Sequence, residues 1–303
     1  MVISITGASG FIGRKLVLAC LSSGYEVRIL SRKISFDIDG VTLFNADLLD
    51  EKVQFNHFVK GADIVINCAG DNTNTSIMFD LHVKATKKLL DESILQGVPR
   101  WIQLSSVGAY GTHRAGEIDE NSKEAPISVY EKTKTEIDQI IKDSGIPYTI
   151  VRPSIVFGKN MNNNSIFDLV NILEKRFFFY IGRNAIVNYV HVDDVVNSLM
   201  QCVSNKLSIG KTFIVSQSIN VEKMIEALLI GLDIKRSIIH IPESLVRLLF
   251  KVLFQNFSNL LTESRINALT GKSIYNSRKI ENEINFQFET TLEERFKSFP
   301  KKR

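Results

Sequence analysis

The chain has 303 residues, of which 44% are hydrophobic and 23% charged, as expected of a globular protein with one large α/β unit or two domains. Its 37 basic and 33 acidic side chains leave a net charge of +4, too small for a protein that coats nucleic acid. The most apolar segment, residues 245–254, contains Arg247 and Lys251, so we expect no helix that spans a membrane.

The cysteines and the N-terminus bear on the cellular compartment. Cys20, Cys68 and Cys202 are odd in number and far apart, so they suggest neither a disulfide framework nor a metal site. The first residues lack the basic start and long apolar core of a signal peptide. We therefore expect a cytoplasmic protein.

The first half of the chain alternates β-rich runs with amphipathic stretches. Helical patterns cover residues 11–22, 75–96 and 127–143, and strands are predicted at 2–6, 26–30, 41–45, 63–67, 100–105 and 148–152. Strands that are apolar on both faces and separated by helices are typical of a parallel sheet covered on both sides. The sequence thus predicts an α/β fold with a doubly wound parallel sheet over residues 1–157.

The second half is less regular, and we expect it to form a smaller α/β substrate lobe over residues 158–303. Strands are predicted at 188–192 and 212–216, and helices at 221–232, 243–254 and 292–298. We expect the stretch from about 187 to 218 to return to the large sheet.

A glycine-rich turn, TGASGFIG at residues 6–13, joins the first strand to the first helix. Gly7 permits a tight turn, Gly10 lets the backbone approach a pyrophosphate, and Gly13 lets the helix and strand pack closely. The positive end of the helix then attracts phosphates. This turn predicts a dinucleotide site.

The residues after the second strand bear on which dinucleotide is bound. Dinucleotide folds usually place an acidic residue there to hold the ribose 2′-hydroxyl. Here Ser31 is followed by Arg32 and Lys33, and cations suit a 2′-phosphate. We therefore favour NADP over NAD, with a solvated loop as the alternative explanation.

Tyr130 and Lys134 stand four residues apart in a predicted helix, which places both side chains on one face. An adjacent ammonium and a nicotinamide cation would favour the phenolate and lower the pKa of Tyr130 toward neutrality. The run LSSVGAYG at 104–111 follows a predicted strand, where a serine hydroxyl could bind a reacting oxygen.

Several motifs in order extend this set over nearly the whole chain. They are TGASGFIG at 6–13, ADL at 46–48, NCAG at 67–70, LSSVGAYG at 104–111, YEKTK at 130–134, RPSIVFG at 152–158 and YVHVDDVV at 189–196. The chain resembles the extended short-chain dehydrogenase/reductase family, in its nucleotide-sugar epimerase/dehydratase group. The resemblance implies a Rossmann-like fold.

The resemblance also implies roles for individual residues. Tyr130 would be the general acid/base, Lys134 would hold the nicotinamide ribose and tune Tyr130, and Ser106 would polarise the substrate. A homodimer would form through the helices at 75–96 and 127–143. Arg32 joins the predicted cofactor-binding residues because its charge suits a 2′-phosphate. The full set is Gly7, Ser9, Gly10, Phe11, Ile12, Gly13, Arg32, Asp47, Leu48, Ala69, Gly70, Ser105, Tyr130, Lys134 and Pro153.

The substrate implied is a nucleotide diphosphate sugar. Asn164, Arg183 and Arg265, together with Ser106, are the predicted substrate contacts, because arginine forks match phosphate geometry. Val107 follows Ser106 where related dehydratases carry acidic residues and one epimerase/reductase branch carries cysteine, so those reactions are disfavoured.

Two reactions stay open. A C4 ketoreductase would consume NADPH, and a 4-epimerase would retain NAD. Arg32 and a loose resemblance of residues 265–279 to reductases of 4-keto sugars favour the reductase.

The alternatives to an enzyme of this kind are a non-catalytic dinucleotide sensor and an enzyme acting on small apolar ketones. A sensor would be expected to lose Tyr130 and Lys134, and an apolar substrate would call for a less polar second lobe. His82 stands where many relatives have asparagine and is expected to be structural. Asp193 and Asp194 are expected to organise the return to the first lobe, and no metal site is predicted.

Overall fold

The computed structural model describes residues 1–32, 38–113, 115–161, 165–249 and 263–299. In chain order, the strands within these ranges are β1 (Val2–Thr6), β2 (Glu26–Ser31), β3 (Val41–Asn45), β4 (Ile64–Asn67), β5 (Trp101–Leu104), β6 (Ala115–Ile118), β7 (Tyr148–Pro153), β8 (Ile155–Phe157), β9 (Tyr180–Ile181), β10 (Ile186–His191), β11 (Lys211–Val215), β12 (Gln217–Asn220), β13 (His240–Ile241) and β14 (Lys272–Tyr275).

The helices within the same ranges are α1 (Phe11–Ser22), α2 (Asn56–Val59), α3 (Thr75–Phe79), α4 (Thr86–Leu95), α5 (Val129–Asp143), α6 (Ser165–Glu174), α7 (Val192–Ser204), α8 (Val221–Gly231), α9 (Glu243–Leu249), α10 (Glu263–Thr270), α11 (Arg278–Ile284) and α12 (Leu292–Lys297). A π-helical segment, Asp80–Ala85, joins α3 to α4, and short 3-10 turns occupy Val107–Tyr110 and Lys206–Ser208.

The main sheet is parallel throughout, in the order β11-β7-β5-β4-β1-β2-β3. The chain runs outward from β1 in both directions, so the order reverses between β1 and β4. Helices α1 and α7 pack on one face and α2, α4 and α5 on the other, each over buried aliphatic and aromatic side chains. The predicted doubly wound, Rossmann-like α/β fold is confirmed.

Beside the main sheet the chain builds a second core and three small sheets, to which the first half contributes β6 and β8. Strands β12, β10 and β8 form one sheet, beside which α6, α8 and α12 enclose a cluster that includes Phe157, Ile225 and Phe296. Of the stretch 187–218, β11 joins the main sheet beside β7, whereas β10 lies in the three-stranded sheet. The remaining pairs are β9 with β13 and β6 with β14.

The structure departs from the predicted elements in two instructive places. The helix predicted over 75–96 contains the π-helical segment, in which the chain makes a wider turn at His82. The strand predicted over 188–192 ends at His191, whose ring nitrogen caps α7 by accepting the Asp193 N–H. No helix in the described part of the chain has the length and apolar character needed to cross a bilayer.

Candidate active site

The glycine-rich turn after β1 leaves open the space in front of helix α1. Gly7 has a φ of +68°, and a Cβ built on it would lie 2.6 Å from the carbonyl carbon of Cys68. A Cβ on Gly13 would collide with the carbonyl oxygen of Gly7. Glycine is thus required at both positions for the turn to close against β4 and α1.

The start of α1 fits an anionic group. Gly10 is the N-cap, and within the described residues no side chain caps this end and no acidic residue lies in its first turn. The first N–H groups of a helix have no partner within the helix, so Phe11 and Ile12 present donors here. Ser9 beside them is exposed. This cradle fits the pyrophosphate of a dinucleotide.

Two loops on the β2 and β3 side carry the residues predicted to contact the adenosine part. Arg32 is exposed directly after β2, where the Asn45 Nδ2 donates to the carbonyls of Ser31 and Arg32, each at 3.2 Å. Asp47 accepts the Leu49 N–H at 3.0 Å. Leu48 packs against the core beside α2. Lys33 lies outside the described residues.

A buried amide fixes the loop that follows β4. The Asn67 carbonyl oxygen accepts from the Thr6 hydroxyl and the Ala69 N–H, and its amide donates to Gln103 Oε1 at 3.1 Å. Ala69 is buried and Gly70 is exposed at the carboxyl edge of the sheet. Pro153 lies buried at the same edge, at the end of β7.

Helix α5 presents Tyr130 toward Ser106. The helix begins with a capping box, in which the Ser128 hydroxyl accepts the Glu131 N–H and the Glu131 carboxylate accepts the Ser128 N–H. The Ser106 side chain lies beside the Tyr130 hydroxyl, within reach of a hydrogen bond that lowers the pKa of the phenol, and the Ser106 oxygen accepts the Gly108 N–H at 3.1 Å. The structure therefore brings Ser106 and Tyr130 together at the end of β5.

In this structure burial is the main influence on the pKa of Tyr130. Burial raises this pKa above its usual value, and the Ser106 hydrogen bond opposes the rise. The Lys134 ammonium, which was predicted to lower this pKa together with the charge of a bound nicotinamide, donates to the Leu104 carbonyl at 2.8 Å. In this structure Tyr130 is therefore a protonated phenol near neutral pH.

Lys134 belongs to a buried network of charges that was not predicted from the sequence. Asp138 is fully buried one turn further along α5, and its Oδ2 accepts from Arg152 Nε at 3.0 Å and from the Ser105 hydroxyl at 2.7 Å. Arg152, 1% exposed, also contacts Glu124 at 2.6 Å. Burial lowers the pKa of Lys134, and the charge of Asp138 opposes that shift. The hydroxyl of Ser105 is thus engaged in the core.

His82 lies under the site with both ring nitrogens bonded. Its Nε2 accepts the Asp71 N–H at 3.0 Å, and its Nδ1 lies 2.9 Å from the Thr133 Oγ1. Burial, reinforced by the charge of Lys134, lowers the pKa of His82 to about 4. The ring is therefore neutral across the physiological range.

This shifted pKa predicts a pH-dependent stability. Neutral His82 contributes its full stabilisation above about pH 6.5, and the contribution is lost as the pH falls toward about 4, because the unfolded chain then binds the proton more tightly. At 1.36 kcal/mol per pKa unit, the loss is at most about 3 kcal/mol. Urea unfolding between pH 4 and 7 should show this slope in the wild type and a flatter one in His82→Gln. The exposed His57→Gln is the control, and equal slopes in His82→Gln and wild type would contradict the assignment.

The remaining predicted residues are not gathered at this edge by any described contact. Arg183 is exposed in the turn after β9, and both Asn164 and the side chain of Arg265 lie outside the described residues. Asp193 pairs with Lys15 at 2.7 Å, which ties α7 to α1. In the described ranges, no cluster of three or more His, Cys, Asp or Glu side chains is suited to a metal ion.

Comparisons with known proteins agree with this arrangement. Residues 3–216 match the sequence pattern of the NAD-dependent epimerase/dehydratase family. A UDP-glucose 4-epimerase of Vibrio cholerae is 26% identical over 251 residues, which cover 76% of each chain.

Solved structures share the fold at lower identity. A UDP-glucose 4-epimerase of Thermotoga maritima, determined with UDP-glucose, has a TM-score of 0.73 at 19% identity and covers 99% of this chain and 97% of its own. A UDP-glucuronic acid 4-epimerase of Bacillus cereus, in complex with NAD, has a TM-score of 0.76 at 17% identity, and the match covers 99% of this chain and 95% of the epimerase. With the family pattern extending over most of the chain, the protein belongs to the NAD-dependent epimerase/dehydratase family, as an extended short-chain dehydrogenase/reductase.

Proposed function

We propose that the protein is an NAD(P)-dependent oxidoreductase that reduces the C4 ketone of a nucleotide-linked sugar. The observation that carries the proposal is the proximity of Ser106 and Tyr130, at the sheet edge that also carries the open turn of Gly7 and Gly10. In doubly wound sheets, ligands bind at this carboxyl edge, beside the point where the strand order reverses.

Each residue of the pair has a role that follows from its protonation. Ser106 would donate a hydrogen bond to the substrate carbonyl oxygen, and Tyr130 would deliver its proton to that oxygen. When NADPH is bound, C4 would receive a hydride from it, so that the ketone would become an alcohol and NADPH would be oxidised to NADP⁺. Tyr130 then recovers a proton from solvent.

A 4-epimerase is the second candidate. The V. cholerae relative carries that name, and the same pair could remove a proton from a C4 hydroxyl before returning it. Such an enzyme keeps its NAD and consumes no cofactor. The two reactions therefore differ in cofactor balance.

Cofactor balance and substrate binding test the proposal directly. The purified protein is incubated with NADPH and 4-keto sugars linked to UDP, GDP or dTDP, and consumption is followed at 340 nm with the products identified by NMR. One NADPH consumed per alcohol formed is the expected result. Interconversion of C4 epimers without consumption would establish the epimerase instead. If no nucleotide sugar shifts the melting temperature, the substrate class is wrong.

Arg32 provides a test of cofactor choice. We propose that it pairs with the 2′-phosphate of NADPH, since it is exposed directly after β2. Arg32→Asp should raise the Kd for NADPH by about 10- to 100-fold, the size expected for a charged hydrogen bond replaced by repulsion, with little change for NADH. The exposed Lys206→Asp, a matched charge reversal before β11, is the control. Equal losses for NADPH and NADH would refute the assignment.

We also propose a homodimer built on helices α3 to α5. Large apolar side chains are exposed along and beside these helices, at Phe79, Ile94, Leu95, Ile127 and Val129. Pairing two copies would cover this surface in a four-helix contact. Light scattering at micromolar concentration should return the mass of two chains. Leu95→Glu should shift the measured mass toward that of one chain. A monomeric wild type would contradict the proposal.

A further inference from the structure

The π-helical segment Asp80–Ala85 places a buried histidine directly below the proposed site. His82 is 1% exposed, and its ring lies edge-on to Tyr130 with 5.7 Å between the ring centroids. Departures from regular α-helix of this kind are frequent at functional sites. The wider turn thus sends a polar ring toward Tyr130.

The ring bridges two elements of the proposed site. On one side it accepts the N–H of Asp71, which follows Ala69 and Gly70 in the loop after β4. On the other side it meets Thr133 of helix α5, between Tyr130 and Lys134.

The Thr133 hydroxyl determines the tautomer of this bridge. Its own proton is directed to the backbone carbonyls of Val129 and Tyr130, at 3.0 and 3.1 Å. Its oxygen can then only accept from the ring, so Nδ1 of His82 carries the proton and Nε2 is free to accept from Asp71. The neutral Nδ1–H form makes both bonds at once.

Gly70 lies close to both the His82 ring and the Lys134 ammonium. A Cβ built there would lie 3.4 Å from His82 Nε2 and 3.7 Å from Lys134 Nζ. The charged and titratable groups facing the ring are Lys134 from α5 and Asp71 from the loop, with Tyr130 against its edge. A neutral ring avoids a second positive charge beside Lys134.

We propose that His82 is a positioning residue, whose two hydrogen bonds set the separation between the loop at Gly70 and the turn of α5 that carries Tyr130. The inference rests on the proposed function, in which Gly70 lines the cofactor site and Tyr130 is the acid. A displacement of about 1 Å between reacting groups can cost about 100-fold in rate, so this separation matters to turnover.

Kinetics of matched variants test the role. His82→Phe keeps a ring of similar size against Tyr130 but makes neither bond, and His82→Gln can keep one. We expect kcat to fall about 10- to 100-fold in His82→Phe, with KM for the sugar within about threefold, and an intermediate loss in His82→Gln. Ser93→Ala removes a buried hydroxyl bond in α4 and should lower the melting temperature while leaving kcat within about twofold.

The kinetic outcomes separate this inference from the proposed function. A wild-type enzyme that turns over no nucleotide-linked 4-keto sugar would overturn the proposed function itself, whereas wild-type turnover of Tyr130→Phe would overturn only the role of Tyr130 as the acid. Wild-type turnover of His82→Phe, in an enzyme that Tyr130→Phe inactivates, would overturn the positioning role alone. A fall in kcat in His82→Phe that is matched by an equal fall in kcat in Ser93→Ala would also overturn the positioning role, because loss of stability would then explain both.

NMR gives a readout that does not depend on activity. In protein labelled with ¹⁵N-histidine, the His82 signals, assigned by their loss in His82→Gln, should show a protonated Nδ1 and an unprotonated Nε2. Thr133→Val removes the acceptor and should shift the Nδ1 resonance. In the Thr133→Val background, His82→Phe should lower kcat by less than about a further threefold, since the two residues form one bridge. A ring protonated at Nε2, or fully additive losses, would overturn the proposal.

Discussion

Tyr130→Phe is expected to lower kcat by about 100- to 10,000-fold, the range that general acid catalysis contributes. The substitution removes only the hydroxyl beside Ser106 and leaves the ring next to His82 in place. Cofactor affinity should stay within about threefold, because the glycine-rich turn and Arg32 are untouched. Stopped-flow measurement of hydride transfer with fluorescence titration of NADPH provides both values.

The matched control for this variant is Tyr148→Phe. Tyr148 stands at the start of β7, at the edge of the sheet opposite the proposed site, and should keep full turnover when its hydroxyl is removed. Near-normal turnover of Tyr130→Phe would mean that another group supplies the proton.

Asp138→Ala is expected to reduce the free energy of unfolding by about 3 to 5 kcal/mol, the usual cost of removing one partner of a buried ion pair. Arg152 is 1% exposed and, among the described residues, would keep only Glu124, whose side chain is 30% exposed, as a partner in an ion pair. The Ser105 hydroxyl would lose its acceptor as well. Equilibrium unfolding in urea measures the change.

Two further variants show whether charge or packing is responsible. Asp138→Asn keeps the volume and a hydrogen-bond acceptor and should lose less stability than Asp138→Ala. Asp143→Ala, at the exposed end of the same helix, breaks only a side-chain contact with Gln139 and should change stability by less than about 0.5 kcal/mol. A loss below 1 kcal/mol in Asp138→Ala would show that the ion pair contributes little to stability.

The first half of the fold could be predicted closely from the sequence. Strands β1 and β3 and helix α1 have the predicted bounds, and β2, β4, β5 and β7 differ by about one residue at either end. Long apolar runs between amphipathic helices specify buried parallel strands regardless of distant partners. The glycines of the turn after β1 could be assigned from the sequence, because the backbone geometry of such a turn requires glycine.

Other features depend on contacts between distant parts of the chain and left no local pattern. Strand β6 has four residues, includes Gly116 and exists by pairing with β14. The π-helical segment has the same apolar spacing as a regular helix. Its widened turn is explained by the bonds of His82 to Asp71 and Thr133.

The electrostatics of the site could be predicted from the sequence only in part. The four-residue spacing of Lys134 and Asp138 indicates a shared helix face, and Arg152 in an otherwise uncharged strand hints at a buried partner. Only the packing of α5 on β7 shows that these groups meet. The same packing explains why Lys134 donates to Leu104 and why burial governs the pKa of Tyr130.

The pairing of β6 with β14 has a consequence for protein synthesis. Strand β6 lies between the residues that carry Ser106 and Tyr130, and its partner, Lys272–Tyr275, is translated long after both. A nascent chain can complete the parallel sheet around β1 and β4, but the segment linking Ser106 to Tyr130 gains its last strand only when residues near 275 leave the ribosome. If the proposed function is correct, dinucleotide binding should therefore appear on the ribosome earlier than enzymatic turnover, which would depend on nearly the whole chain.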